Sequence, residues 1–327
     1  MRLRSSVSRR LVLSIAISAF GLVAISAPAW ATFPGQNGRI AFAGDEAGDL
    51  DIWTINPDGS GAANVTAGPS IPGFDLEPDY SPDGTKIAFR SGRVATAEIY
   101  TVNADGTGLA RLTFNSVKDY TPAWSPDGSM IAFASNRNDP APATCVDLLG
   151  SCTIDIFVMP ATGGSPVQVT FGSGTKHFPQ FSPDGGSIAY TSNASGAFAV
   201  YTVDLDTLAA TKLTPDSLHA GPPDYSPDGT KIAFESNFRA CNTGTSECRS
   251  DIFTMNANGT SITRLTPKFG NNYDATWSPE GDKIAFTHAL GAGFKHQQVY
   301  LMNPDGTGIA RITRTNDESF GSDWGSG

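Results

Sequence analysis

One phrase recurs along this chain at intervals of 44 to 57 residues, and a period of that length confines the fold to an array or ring of one small supersecondary unit. Ser-Pro-Asp-Gly begins at Ser81, Ser125, Ser182 and Ser226, and Ser-Pro-Glu-Gly at Ser278; an aromatic precedes each, Tyr80, Trp124, Phe181, Tyr225 and Trp277. Pro at the second turn position presets φ and Gly accepts the positive φ that follows, so each is a tight turn. Ile-Ala-Phe or Ile-Ala-Tyr then starts at Ile87, Ile131, Ile188, Ile232 and Ile284. A second alternating run follows, as in Glu98-Ile99-Tyr100-Thr101-Val102 and Asp251-Ile252-Phe253-Thr254-Met255, and a third short run closes the unit, as in Arg111-Leu112-Thr113 and Arg264-Leu265-Thr266. With the aromatic-bearing segment in front, each unit is expected to hold four strands. Asn103-Ala104-Asp105-Gly106 and Asn303-Pro304-Asp305-Gly306 supply further hairpins.

The two ends set the number of units. Asn37-Gly38-Arg39-Ile40-Ala41-Phe42 matches the segment that follows the Ser-Pro-Asp-Gly turn but lacks the strand before it, and Phe320-Gly321-Ser322-Asp323-Trp324 matches the missing strand and then stops. One strand from the end and three from the beginning complete a sixth unit, which predicts a closed ring with few free edges. The expected fold class is therefore all-β, a six-bladed β-propeller of four-stranded blades closed by pairing the C-terminal strand into the N-terminal blade. An open solenoid would need capping repeats at its ends, and a sandwich would not repeat a four-strand unit. Composition agrees: 35 Gly and 22 Pro in 327 residues exceed the usual shares of about 7% and about 5%, which favours frequent turns over helix.

Residues 1–31 read as a signal peptide, with a basic start, an apolar run from Leu11 to Ala27 and small residues at Ala29 and Ala31 flanking a cut before Thr32. An uncleaved anchor is the alternative, and Arg9-Arg10 leaves twin-arginine export open beside the general route. Residues 32–327 form one expected domain, exported to the periplasm or the extracellular space, with no membrane span. Removing the four leader arginines, Arg2, Arg4, Arg9 and Arg10, leaves 18 bases against 32 acids, a net charge of −14. Such a balance disfavours nucleic acid as a partner. Cys145 with Cys152 and Cys241 with Cys248 are two Cys-x6-Cys pairs; in an exported chain they read as two local disulfides, while zinc would prefer closer spacing and His partners.

The aromatic-Ser-Pro-Asp-Gly-x-x-Ile-Ala-Phe phrase, followed by Asp-Ile-Phe-x-Met-Asn and Arg-Leu-Thr, resembles the propeller of the TolB family of periplasmic proteins and their WD40-like relatives. That resemblance covers residues 37–327 and implies the fold. Members of the family resemble two-domain proteins, an N-terminal α/β domain before the propeller, and work by binding the lipoprotein Pal and Tol partners. Residues 32–36 leave no room for such a domain, so the propeller part alone carries over. The same kind of propeller accompanies the hydrolase domain of prolyl oligopeptidase relatives; no Gly-x-Ser-x-Gly elbow occurs here.

Meander blades send the short Asp-Gly hairpins to one face and the connections between second and third strands, and between blades, to the other. The two longest units hold the cysteine pairs, so both cysteine loops are expected on that second, variable face, where binding residues concentrate. The segments entering the innermost strands should ring the channel mouth there. They offer Asp75, Glu77, Asp119, Tyr120, His177, Phe178, His219, Tyr273, Asp274, Glu318 and Phe320. Convergent acids beside histidines suit a divalent cation such as calcium or a basic segment of a partner, and the aromatics suit a peptide or a sugar. Each of these residues also has an ordinary reading as solvated charge or core filling. The favoured expectation is an exported, monomeric, non-catalytic scaffold with no obligatory cofactor that recognises an envelope or extracellular protein or peptide on its variable face. The alternative is a carbohydrate-active enzyme or glycan binder working at the same mouth.

Overall fold

The computed structural model describes residues 35–45, 49–67, 73–94, 96–142, 152–236, 250–267, 269–289, 296–314 and 318–327. Within them six four-stranded antiparallel sheets follow one another around a central channel. The first joins the two ends of the chain: β24 (Ser319–Ser326) lies innermost, then β1 (Asn37–Gly44), β2 (Asp51–Ile55) and β3 (Ala63–Asn64). The second runs outward as β4 (Asp75–Tyr80), β5 (Lys86–Ser91), β6 (Glu98–Asn103) and β7 (Ala110–Arg111), and the third as β8 (Asp119–Trp124), β9 (Met130–Ser135), β10 (Asp155–Pro160) and β11 (Val167–Gln168). The fourth holds β12 (Lys176–Phe181), β13 (Ser187–Ser192), β14 (Ala199–Asp204) and β15 (Ala210–Lys212). The fifth holds β16 (Pro223–Tyr225), β17 (Lys231–Ser236), β18 (Asp251–Asn256) and β19 (Thr263–Arg264), and the sixth β20 (Asn271–Trp277), β21 (Ile284–Ala289), β22 (Gln297–Met302) and β23 (Ala310–Arg311). Closure is as the ends require: Ile40 pairs with Trp324 and Ala41 with Asp323.

Local chemistry explains the repeated phrase. In the Ser-Pro-Asp-Gly turns the serine Oγ donates to the aspartate two residues on, at 2.6 to 2.7 Å for Ser81, Ser125, Ser182 and Ser226. The same oxygen accepts the backbone N–H five residues on, at 2.9 Å for Lys86 and Met130. Gly84 closes its turn at φ 66°, and a Cβ there would sit 2.2 Å from the carbonyl oxygen of Ser326; only glycine meets both demands.

The core lies between blades. Ile87 and Phe89 of β5 pack with Ala41 and Ile52 of the preceding blade, while Ala88 turns to the following one and packs with Trp124, Ile131 and Phe133. The pattern recurs with Ala233 against Trp277, Ile284 and Phe286, and with Ala285 against Trp324, Ile40 and Phe42. Ile and Phe thus fill one interface while the small Ala makes space for the aromatic of the next blade, which is alternation across a strand used on both faces.

The third run is shorter than its sequence pattern. As a strand it ends at Arg111, Lys212, Arg264 and Arg311 in four blades and at Asn64 and Gln168 in the other two, and the threonine two residues on is a latch. Thr113 Oγ1 accepts the N–H of Ile99 at 3.0 Å and donates to Glu98 at 2.6 Å; Thr266 does the same with Ile252 at 3.0 Å and Asp251 at 3.0 Å. The acid that opens each Asp-Ile-Phe run therefore anchors the edge strand.

Candidate functional site

Four of the innermost strands carry one irregularity near their start, and β24 carries two along its pairing with β1. Register slips between Leu76 and Asp79, Tyr120 and Ala123, His177 and Gln180, and Tyr273 and Thr276. The residue within the bulge takes positive φ: Glu77 at 58°, Thr121 at 45°, Phe178 at 54°, Asp274 at 49° and Gly321 at 62°. In the fifth blade that place is Pro222, whose ring forbids positive φ, and there the innermost strand shrinks to Pro223–Tyr225. A bulge re-aims side chains, and here successive residues of all six blades come to face one cavity of 320 Å³.

Two polar layers line it. The deeper one is a ring of clasps between blades. The N–H of Trp124 donates to Asp79 at 2.6 Å, that of Trp277 to Asp224 at 2.6 Å, and that of Tyr80 to Asp323 at 2.7 Å. Gln180 Nε2 donates to the second oxygen of Asp224 at 3.0 Å, and Thr276 Oγ1 to that of Asp323 at 3.4 Å. Burial, and then the charge of Asp323, push the carboxyl of Asp79 well up from the ordinary carboxylate range. Asp224 is raised by burial to about 7 and Asp323 by burial to about 6.

The outer layer sits at the mouth. Glu77 accepts the N–H of Thr121 at 2.8 Å and pairs with Arg90 Nε at 3.2 Å. Arg90 also lies over the rings of Phe74 and Tyr120, at 5.0 and 5.4 Å. Beside Asp274, Glu235, only 3% exposed, accepts its N–H at 3.2 Å. Burial and then Asp274 push Glu235 well up, while burial and then Glu77 raise Asp274 to about 6.

The residues singled out from sequence divide into two groups. Glu77, Phe178, Asp274 and Phe320 line the cavity. Asp75 and Asp119 stand at the strand starts as structural ion pairs, Asp75 with Arg93 and Asp119 with Arg137 at 3.0 Å. Tyr120 and Tyr273 are buried, and His177 meets the ring of Tyr120 edge-on at 5.8 Å. His219 ends the short 3-10 turn Asp216–Leu218 in a left-handed conformation. Glu318 accepts the N–H groups of His296 and Gln297, both at 2.8 Å, and so ties the last blade junction. Asp79, Asp224, Asp323, Arg90 and Glu235 escaped sequence reasoning. The signal for the aspartates is positional: each stands one residue before the aromatic that precedes the turn, or before Trp324. Cys152 is buried, in contact with the core that holds Ile154 and Phe181; Cys145, Cys241 and Cys248 lie outside the described residues, as does the leader. Among the described residues no group of three His, Cys, Asp or Glu side chains gathers closely enough to hold a metal ion, and no helix is long and apolar enough to cross a membrane.

Comparison with known proteins places this geometry. Residues 14–151 match the sequence family of the TolB beta propeller domain. An uncharacterised protein of Agrobacterium fabrum is 29% identical over 145 residues, which is 43% of this chain and 45% of that protein, so the match spans less than half of the relative's length. The solved TolB of Acinetobacter baumannii superposes with a TM-score of 0.70 at 20% identity, over 90% of this chain and 67% of its own. A TolB candidate from Agrobacterium tumefaciens does so with a TM-score of 0.66 at 22% identity, over 88% of this chain and 98% of its own. At such identities the structural likeness is one of fold.

Proposed function

The chain is a six-bladed propeller of the TolB-like kind, and on that premise we propose that it is an exported, non-catalytic scaffold that takes up an extended segment of a protein partner at the channel mouth. The observation that carries this reading is the cavity itself. It is built by residues from every blade, walled by Pro78, Pro122, Pro179, Pro222 and Pro223, and flanked by Phe178 and Phe320. A pre-formed, partly apolar recess with a few placed polar groups is what ligand sites look like, and buried aromatics are the usual anchors for a peptide.

The carbohydrate reading has less support. Asp79, Asp224, Asp323, Glu77 and Glu235 each accept a backbone N–H from another blade, which leaves them as structural acceptors more than as an acid pair facing across a sugar-sized gap. Export rests on the leader, and disulfides within the Cys145–Cys152 and Cys241–Cys248 loops belong with it. The exported protein, denatured without reductant, is expected to take up no thiol-labelling reagent.

The test is affinity capture from the native envelope or culture fluid with the mature protein. Phe178→Ala and Phe320→Ala should each weaken retention of the captured protein, whereas Asp105→Asn in an exposed hairpin on the opposite face should not. Equal loss from both sets would count against the mouth as the site.

A further inference from the structure

The channel has an unbalanced charge and one unsatisfied hydroxyl, and together they indicate what enters it. Arg90 is the cation lining the cavity among the described residues, and it is already committed to Glu77 and to two aromatic rings. The carboxyls of Asp79, Asp224, Asp274 and Asp323 have no positive counterpart in the lining. Ser322, nine-tenths buried, also lines the cavity, and its Oγ has no hydrogen-bond partner. Prolines stand at the equivalent place in the second to fifth blades, Pro78, Pro122, Pro179 and Pro223, and Ala275 in the sixth, so this hydroxyl is not part of the repeat. A buried hydroxyl left unpaired is destabilising, and a ligand donor would satisfy it. A second opening lies beside Asp79. Gln180 and Thr276, each from the preceding blade, supply side-chain donors to Asp224 and Asp323; the residue at that place for Asp79 is Asp323, a second acid, and its neighbour on the other side is Ala123, so neither gives Asp79 a side-chain amide or hydroxyl donor.

Resting on the peptide-binding reading above, we propose that the group admitted to the channel is the cationic end of a basic side chain of the partner segment, an arginine guanidinium ahead of a lysine ammonium, held by Asp79, Asp224, Asp323 and Ser322. The carboxyls are spread around the ring instead of gathered into a chelating cluster, which suits a planar fork with several donors better than a bare ion. At 320 Å³ the cavity admits a side chain but not a helix of about 10–12 Å diameter. The proline walls and Phe178 and Phe320 would cover the methylene stem, as apolar surface does for long basic residues. The aspartates are raised by burial and by one another, and Glu235 on β17 and Asp274 on β20 add to the negative field. Glu77 is offset by Arg90, and Tyr80 and Tyr273 stay neutral because burial raises both. An arriving cation therefore displaces protons, and binding strengthens as pH rises from about 5.5 to about 8.

The experiment uses the mature chain and pools of short acetylated and amidated peptides, each pool with one fixed central residue. The arginine and lysine pools should be retained at least about tenfold more than the citrulline, leucine and glutamate pools near pH 8, with the margin shrinking near pH 5.5. Ser322→Ala and Asp79→Asn should lower retention of the arginine pool, and citrulline in place of arginine repeats the test without touching the protein's fold. Equal retention of the citrulline or leucine pool would overturn the proposal while leaving the peptide-binding reading in place. Retention of no pool would overturn both.

Discussion

Asp224 shows at the scale of one residue why the channel lining responds to pH. It is 6% exposed, accepts the Trp277 N–H, and is raised by burial to about 7. A carboxyl whose folded value lies above its unfolded one holds a proton that the unfolded chain has lost, so stability falls as pH rises through that interval. Between pH of about 5.5 and about 8 this single group is worth about 2 kcal/mol, and Asp274 and Asp323, each raised to about 6, act in the same direction. His288, lowered by burial, opposes them, because it is the unfolded state that gains its proton. The melting temperature is expected to climb as pH drops from about 8 to about 5.5. Asp224→Asn keeps an acceptor for Trp277 and removes the charge, so the variant should flatten that slope and melt at or above the wild type near pH 8. Calorimetric melts at the two pH values check both statements, and a wild-type slope of the opposite sign would remove the case for raised carboxyls.

The blade edge makes a comparable argument for an element. Where the acid that opens the third strand is present, the closing threonine serves two groups; in the fourth blade that acid is replaced by Ala199, and Thr214 Oγ1 only accepts the N–H of Val200 at 2.9 Å. Thr113→Val strips a bond from the fully buried Glu98 as well as the acceptor of Ile99. It should cost about 2–3 kcal/mol, and Thr214→Val about 1 kcal/mol; denaturant midpoints of the two variants measure the difference. These latches also mark how far the fold could be read from sequence. Turn chemistry and strand alternation are local, so the blades, the hairpins and the closing strand are legible in Ser-Pro-Asp-Gly and Ile-Ala-Phe. The bulges are not, because Glu77, Thr121, Phe178 and Asp274 share a left-handed backbone without sharing a side-chain type. Nor are the clasps, since Asp323 and the Tyr80 that it holds are 243 positions apart. Asp75 and Asp119, acids at the start of the same strands, carry the same sequence signal as Glu77 and Asp274, and only the basic residues beyond the second strands, Arg93 and Arg137, divert them into ion pairs.

For the molecule as a whole, the ring is held by its last strand. Trp324 is 1% exposed, pairs with Ile40, packs with Phe42 and Val299, and donates its indole N–H to the carbonyl of Gly38 at 3.2 Å. Trp324→Ala is expected to cost about 3–5 kcal/mol, the range for a large buried aromatic. Removal of residues 319–327 does more than that, because it leaves β1 as a bare edge beside the channel and takes away Asp323, the clasp on Tyr80. The N–H of Gly327 donates to the carbonyl of Gln36 at 2.8 Å, so the two ends already lie side by side. A permutant that joins Gly327 to Gln36 through a short linker and opens the exposed Asp305-Gly306 hairpin should therefore keep the wild-type fold and a single cooperative melt. The truncated chain should melt broadly and at a lower temperature. If the permutant lost its fold while the truncation kept it, the pairing of β24 with β1 would not be what closes the propeller, and the channel lining built on that closure would fall with it.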